Sequence, residues 1–172
     1  IENCFKLIDS ARNAGADAIK IQTYTPDTMT INSNREEFTI RGTIWDERQL
    51  YDLYSEAALP WEWHEKLFDY CRKTEIELFS TPFDKSAVDL LEQCGVKRYK
   101  IASSELIDLP LIKYVAEKGK PIIMSTGMAS YDEIVEAVDT VKSNGNGQPL
   151  TLLKCTASYP APVEDANLLT IP

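Results

Sequence analysis

The feature that most limits what this chain can fold into is an alternation of two patterns. Short apolar runs of strand length recur at Ala16–Thr23, Glu77–Thr81, Arg98–Ser103, Pro121–Ser125 and Leu150–Thr156. Helix-spaced segments separate them. Cys4, Leu7, Ile8 and Ala11 repeat at helical spacing before Gly15. Glu47–Ala57 and Trp61–Thr74 read as two helices, with Pro60 near the start of the second. Asp84 caps a helix through Val88, Leu91 and Cys94 that Gly95 stops. Leu109–Glu117 follows, and Ser130 with Glu133 forms a capping box ahead of Ile134, Ala137, Val138 and Val141. Strict alternation predicts parallel strands joined by helical crossovers, and nearly continuous apolar runs predict strands covered on both faces.

The fold class is therefore α/β. No GxGxxG and no GxxxxGK[ST] follows any strand, which counts against a dinucleotide or P-loop site. Five βα units without such a loop suit a partial (β/α)8 TIM barrel. A full barrel takes about 250 residues, so 172 residues correspond to about five of the eight units. The chain also begins at Ile1 within a helical pattern, so residues 1–172 are expected to be an incomplete barrel domain. Tyr24–Asp46 is polar and long for a connection, which makes it either functional or the carrier of small strands. Ala157–Pro172 reads as loop. A weak echo links the two halves: Gly15 precedes Lys20 by the same interval as Gly95 precedes Lys100, each lysine heading a Lys-Ile pair.

Composition narrows the function classes. With 27 acidic against 18 basic residues the net charge is −9, which opposes non-specific nucleic-acid binding. No apolar run approaches membrane-spanning length, and Glu2, Asn3 and Lys6 interrupt any signal-peptide core. No nucleic acid and no membrane are expected as partners. One His rules out a metal site built on several histidines within these residues. Cys4, Cys71, Cys94 and Cys155 show no CxxC spacing and read as reduced thiols of a cytoplasmic protein.

In a parallel barrel the C-terminal strand ends converge on one mouth. Here they are polar: Lys20, Gln22 and Thr23; Ser80 and Thr81; Lys100, Ser103, Ser104 and Glu105; Ser125 and Thr126; Lys154, Thr156 and Ser158. Lys20 and Lys100 are the sharpest signal. An ammonium inside a buried strand costs several kcal/mol unless it is compensated. It could pair with a structural carboxylate, form a Schiff base, or face an anionic ligand. Two cations ringed by hydroxyls favour a ligand with phosphate and carboxylate groups. Glu105 could move a proton or hold a sugar hydroxyl, or simply cap a helix. His64 reads as structural, on an outer helix. Trp45, Tyr51, Tyr54, Trp61 and Trp63 read as packing for the helix pair, with sugar stacking as the alternative.

Five segments together carry a resemblance: IKIQT (19–23), FSTPFD (79–84), YKIASSE (99–105), IIMSTGM (122–128) and LLKCTASYPAP (152–162). In this order, over essentially the whole chain, they resemble the sialic-acid synthase family, which condenses phosphoenolpyruvate with N-acetylated aminosugars to make nonulosonic acids. Residues 42–64 and 154–168 are most similar to the branch that makes pseudaminic acid. The acceptor this implies is 2,4-diacetamido-2,4,6-trideoxy-altropyranose. The neuraminate and legionaminate branches, kept as alternatives, usually carry a His where Lys154 stands.

The resemblance implies roles. Lys20, Thr81, Lys100, Ser103 and Ser125 match positions that hold the phosphate and carboxylate of phosphoenolpyruvate. Glu105 matches a position that contacts the acceptor sugar; with Lys100 it is the expected catalytic residue. Gln22 is a further binding residue. Ala157 replaces an Asn that touches phosphoenolpyruvate in the neuraminate branch, and Ser158 is expected to take over its contact. The family uses a divalent metal, manganese or magnesium, held by two histidines that match nothing in this chain, His64 included. A first strand with a Glu, the last strands and a C-terminal antifreeze-like domain that completes the partner's site in a homodimer are expected in the full-length parent. In the implied reaction the metal activates the sugar aldehyde, the enol carbon attacks it, water adds, and phosphate leaves by C–O cleavage. Two other classes stay open: a Schiff-base aldolase using Lys20, Lys100 or Lys154, and an inactive anion-binding fragment.

Overall fold

The computed structural model describes residues 1–158 and 160–171. Seven helices and five strands alternate among them: α1 Glu2–Asn13, β1 Ala18–Thr23, α2 Pro26–Met29, α3 Leu50–Ala57, α4 His64–Lys73, β2 Glu77–Pro82, α5 Lys85–Gln93, β3 Tyr99–Ile101, α6 Leu109–Ala116, β4 Ile122–Ser125, α7 Tyr131–Asn144 and β5 Leu150–Leu153. The strand order is the chain order, β1-β2-β3-β4-β5. Pairs β2/β3, β3/β4 and β4/β5 are parallel. A doubly wound sheet reverses its strand order at a switch point, whereas sequential order is that of a (β/α)8 barrel, of which these are five units.

The chain divides into two compact units. The first comprises Ile1–Leu78 and Pro82–Gly95. Its α4 buries His64, Leu67, Phe68 and Cys71, an i, i+3, i+4, i+7 stripe. Phe5 of α1 stacks on Tyr70 of α4 at 4.4 Å between centroids, and the Tyr70 hydroxyl donates to Asp9 at 2.8 Å. Asp84 caps α5 as expected, accepting from the Ala87 and Ser86 amides. The polar segment after β1 holds α2 and a 3-10 turn at Glu36–Phe38. Its Thr39 makes one isolated bridge to Gln49, so small strands do not form among the described residues.

The second unit comprises Phe79–Thr81 and Val96–Pro172. Its core is the strand interior, with Tyr99, Ile101, Ile122 and Met124 buried. Over it α6 buries Leu111, Ile112, Val115 and Ala116, and α7 buries Ala137 and Val141. Ser130 and Glu133 make the capping box of α7. The strands are shorter than their apolar runs. Arg98, Ala102 and Ser103 fall outside β3, and Lys154–Thr156 outside β5.

Candidate active site

The second unit gathers its polar side chains where the strands end. Lys100 is the middle residue of β3, between fully buried Tyr99 and Ile101, and is itself only 9% exposed. Its ammonium donates to the Ile101 carbonyl at 2.6 Å and to Ser125 Oγ at 2.5 Å. Ser125 is the buried last residue of β4. Ser80 pairs with Tyr99, so the register brings Thr81, also buried, level with Lys100 on β3. The amide of Gly127 donates to Ser103 Oγ at 3.1 Å, which orients that hydroxyl. A Cβ at Gly127 would lie 2.9 Å from Ser103 Oγ and 3.3 Å from the Cys155 Cβ, so only glycine lets these segments approach so closely.

Glu105 lies in a 3-10 turn, Ser104–Ile107, and is half-buried. Burial raises its carboxyl above the usual range, and nearby Asp108 adds to this. The Ser104 hydroxyl, donating at 2.8 Å, and the Lys100 charge oppose it. The helix that follows is capped by Asp108, whose side chain accepts from the Leu111 amide at 3.0 Å. Glu105 is therefore not the cap of α6, and its carboxylate accepts from the neighbouring Ser104 hydroxyl. Lys154 is turned to its own segment, donating to Thr156 Oγ1 at 3.0 Å and to the Asp165 carbonyl at 2.9 Å.

One expectation is corrected. Lys20, expected to be buried between isoleucines, is exposed, and so is Gln22. Lys20 and Gln22 alternate with half-buried Ile19 and Ile21, so the two share one face of β1, and that face is open in this structure. Ser158 is exposed and donates to the Pro160 carbonyl at 3.3 Å. In the first unit Lys20 and Gln22 line a cavity of about 280 Å3 with Ile21, Tyr24, Ala57 and Leu59.

His64 is structural, and more deeply so than an outer-helix residue need be: it is fully buried at the first position of α4. Its Nδ1 lies 3.2 Å from the carbonyls of Pro60 and Trp61, and its Nε2 lies 2.9 Å from Thr23 Oγ1. Carbonyls only accept, so Nδ1 carries the proton. Burial holds the imidazole below its ordinary range, against the pull of the two carbonyls and of Glu62. The aromatic residues pack only in part. Tyr54 meets Tyr24 edge-on at 6.1 Å, Trp61 Nε1 donates to the Tyr24 carbonyl, and Trp45 points outward. Sequence reasoning missed Gly127 and the Thr23–His64 pair, because both are contacts between distant segments with no local pattern.

Among the described residues no three of His, Cys, Asp and Glu come together as a metal site, and both ring nitrogens of His64 are engaged. These residues do not fit the divalent ion of the resemblance. Cys71 and Cys94 are buried, and burial pushes the Cys71 thiol up to about 11. No helix among the described residues is long and apolar enough to cross a membrane.

Comparison with known proteins bears on the same residues. The NeuB family profile matches residues 7–172. The chain belongs to the NeuB family. It is 45% identical to the pseudaminic acid synthase of Helicobacter pylori, over 95% of this chain and 48% of that protein. It is 39% identical to the N,N'-diacetyllegionaminic acid synthase of Campylobacter jejuni, over 95% of this chain and 49% of that protein. The crystal structure of the N-acetylneuraminic acid synthetase of Leptospira borgpetersenii superposes with a TM-score of 0.83 at 32% identity, covering 98% of this chain and 53% of that one. The chain thus spans about half the length of the curated relatives it matches.

Proposed function

We propose that this chain is the phosphoenolpyruvate-binding part of a nonulosonic acid synthase. The reaction assigned to it condenses phosphoenolpyruvate with 2,4-diacetamido-2,4,6-trideoxy-altropyranose to give pseudaminic acid and phosphate. The observation that carries this reading is the buried Lys100 ammonium, held by Ser125 Oγ at a strand end that Ser103 and Thr81 also furnish. A cation and several hydroxyls in a shielded site compensate an anion that water would otherwise solvate. The choice of sugar rests on identity: 45% to pseudaminic acid synthases of Helicobacter pylori and Campylobacter jejuni, 39% to a legionaminic acid synthase, and 28% to the mouse N-acetylneuraminate-9-phosphate synthase.

The enol carbon of phosphoenolpyruvate forms a bond to the aldehyde carbon of the open-chain sugar, leaving an oxocarbenium centre at C2. Water adds at C2 and loses a proton, the aldehyde oxygen gains one, and the C2–O bond breaks to release phosphate. Lys100, Ser103, Ser125 and Thr81 bind the phosphate and carboxylate and stabilise charge as it moves to the leaving group. Glu105 faces the sugar and handles a proton, a task suited to a carboxyl raised by burial. Roles for Lys20, Gln22 and Ser158 rest on the resemblance alone. The reading carries with it a divalent ion, manganese or magnesium, to polarise the aldehyde, with ligands beyond the described residues. A cytoplasmic homodimer belongs to the same reading.

The test supplies the full-length protein with manganese, phosphoenolpyruvate and each candidate sugar. The expected result is release of phosphate and formation of pseudaminic acid with the diacetamido-trideoxy sugar. Consumption of N-acetylmannosamine instead would overturn the choice of sugar. A covalent adduct trapped by borohydride with pyruvate would overturn the phosphoenolpyruvate reading in favour of a Schiff-base aldolase.

A further inference from the structure

The residues that leave β1 are tied to one turn. Thr23 Oγ1 meets His64 Nε2 at 2.9 Å, and the next carbonyl, that of Tyr24, accepts from Trp61 Nε1 at 3.2 Å. The His64 ring is in turn fixed by the Pro60 and Trp61 carbonyls at 3.2 Å each. Thr23 and His64 are both fully buried, so the bond between them is shielded from competing water. The same turn begins at Leu59, which walls the cavity that Lys20, Gln22 and Tyr24 also line. One short segment, 59–64, thus supplies part of the cavity wall and holds the end of the strand that carries its polar lining.

Lys20 and Gln22 stand on the same strand as Thr23, three residues and one residue before it, so their placement follows the backbone that bears them. A shift of the β1 exit moves both by the same amount. We propose that His64 is a positioning residue: through Thr23 it fixes the end of β1 and so keeps Lys20 and Gln22 in place beside the cavity. The inference rests on the reading that Lys20 binds phosphoenolpyruvate. It gives His64, a residue outside the ligand, an effect on ligand affinity.

The test uses the full-length protein with Thr23→Val, His64→Leu and His64→Gln. Valine keeps the shape of Thr23 and removes its hydroxyl, so His64 stays in place and the protein keeps its fold. Gln can present an acceptor oxygen near the position of Nε2, whereas Leu cannot. Loss of one buried hydrogen bond predicts a rise in KM for phosphoenolpyruvate of about fivefold in Thr23→Val and His64→Leu. The expected kcat is nearly unchanged, and Gln restores KM. Hydrogen exchange of the amides at 19–24 is expected to quicken in Thr23→Val and His64→Leu, with α6 and α7 unaffected. Unchanged exchange and unchanged KM in a folded Thr23→Val would overturn the proposal, as would a fall in kcat at constant KM. Lys20→Met in the same assay separates the two claims. If it leaves KM unaltered, the Lys20 assignment has failed. The positioning claim is then judged by the exchange data: quickened exchange at 19–24 upholds the hold on β1, and unchanged exchange overturns it.

Discussion

Glu105 is half-buried with a lysine charge acting on it, and burial wins: its carboxyl is raised, not lowered. An acid so raised ionises later as pH rises, so a step that needs its carboxylate loses rate on acidification sooner than an exposed glutamate would allow. In the full-length protein kcat should fall on an acidic limb above the ordinary carboxylate range. Glu105→Gln should abolish that limb and lower kcat by about a hundredfold, with affinity for phosphoenolpyruvate retained. A pH profile of kcat for both proteins checks this. At this scale the sequence was half legible. Lys100 and Lys20 each head a Lys-Ile pair and carry the same expectation of burial. Only Lys100 meets it, because burial depends on what packs over each strand, and no local pattern records that. The alternative role for Glu105 as a helix cap went to Asp108, three residues on, where the helix starts.

The caps and stops of the helices were readable because they are local chemistry. Asp84 and the Ser130–Glu133 box sit where side chain and amide are neighbours in sequence. The strands end sooner than their sequence runs predict. Arg98, Ala102 and Ser103 continue the apolar run of β3 but leave its ladder, and it is there that Ser103 turns to Gly127. That contact joins the ends of β3 and β4 and makes a definite prediction. In Gly127→Ala the new methyl must displace Ser103 Oγ, and any rotation that clears it gives up the bond from the Gly127 amide. Overpacking of this kind costs about 1–3 kcal/mol. Urea unfolding of the full-length variant should show that loss, together with weaker binding of phosphoenolpyruvate. Full stability with unaltered binding would mean that Ser103 is not held in this way.

For the molecule as a whole, the alternation of strands and helices was enough to read an α/β fold with sequential parallel strands, since the crossover rule leaves few other arrangements. The division into two compact units was not readable, for it depends on contacts between segments far apart in sequence. At the far edge of the sheet β5 exposes Leu152 and Leu153, and the described segment beyond it exposes Leu168, Leu169 and Ile171. Open strand edges with apolar side chains invite association. The 172-residue chain on its own is therefore expected to be inactive and to aggregate, as light scattering would show. A monomer that melts cooperatively would contradict this.

The account turns on Lys100 as the buried cation that receives the anionic substrate. The most direct measurement is a calorimetric titration of phosphoenolpyruvate into the full-length protein and into its Lys100→Met variant, which keeps the apolar stem and removes the charge. Truncating one partner of a buried, hydrogen-bonded charge pair costs about 2 kcal/mol or more, so affinity should fall by about 30-fold or more with the thermal transition retained. Equal affinity in the two folded proteins would contradict the account.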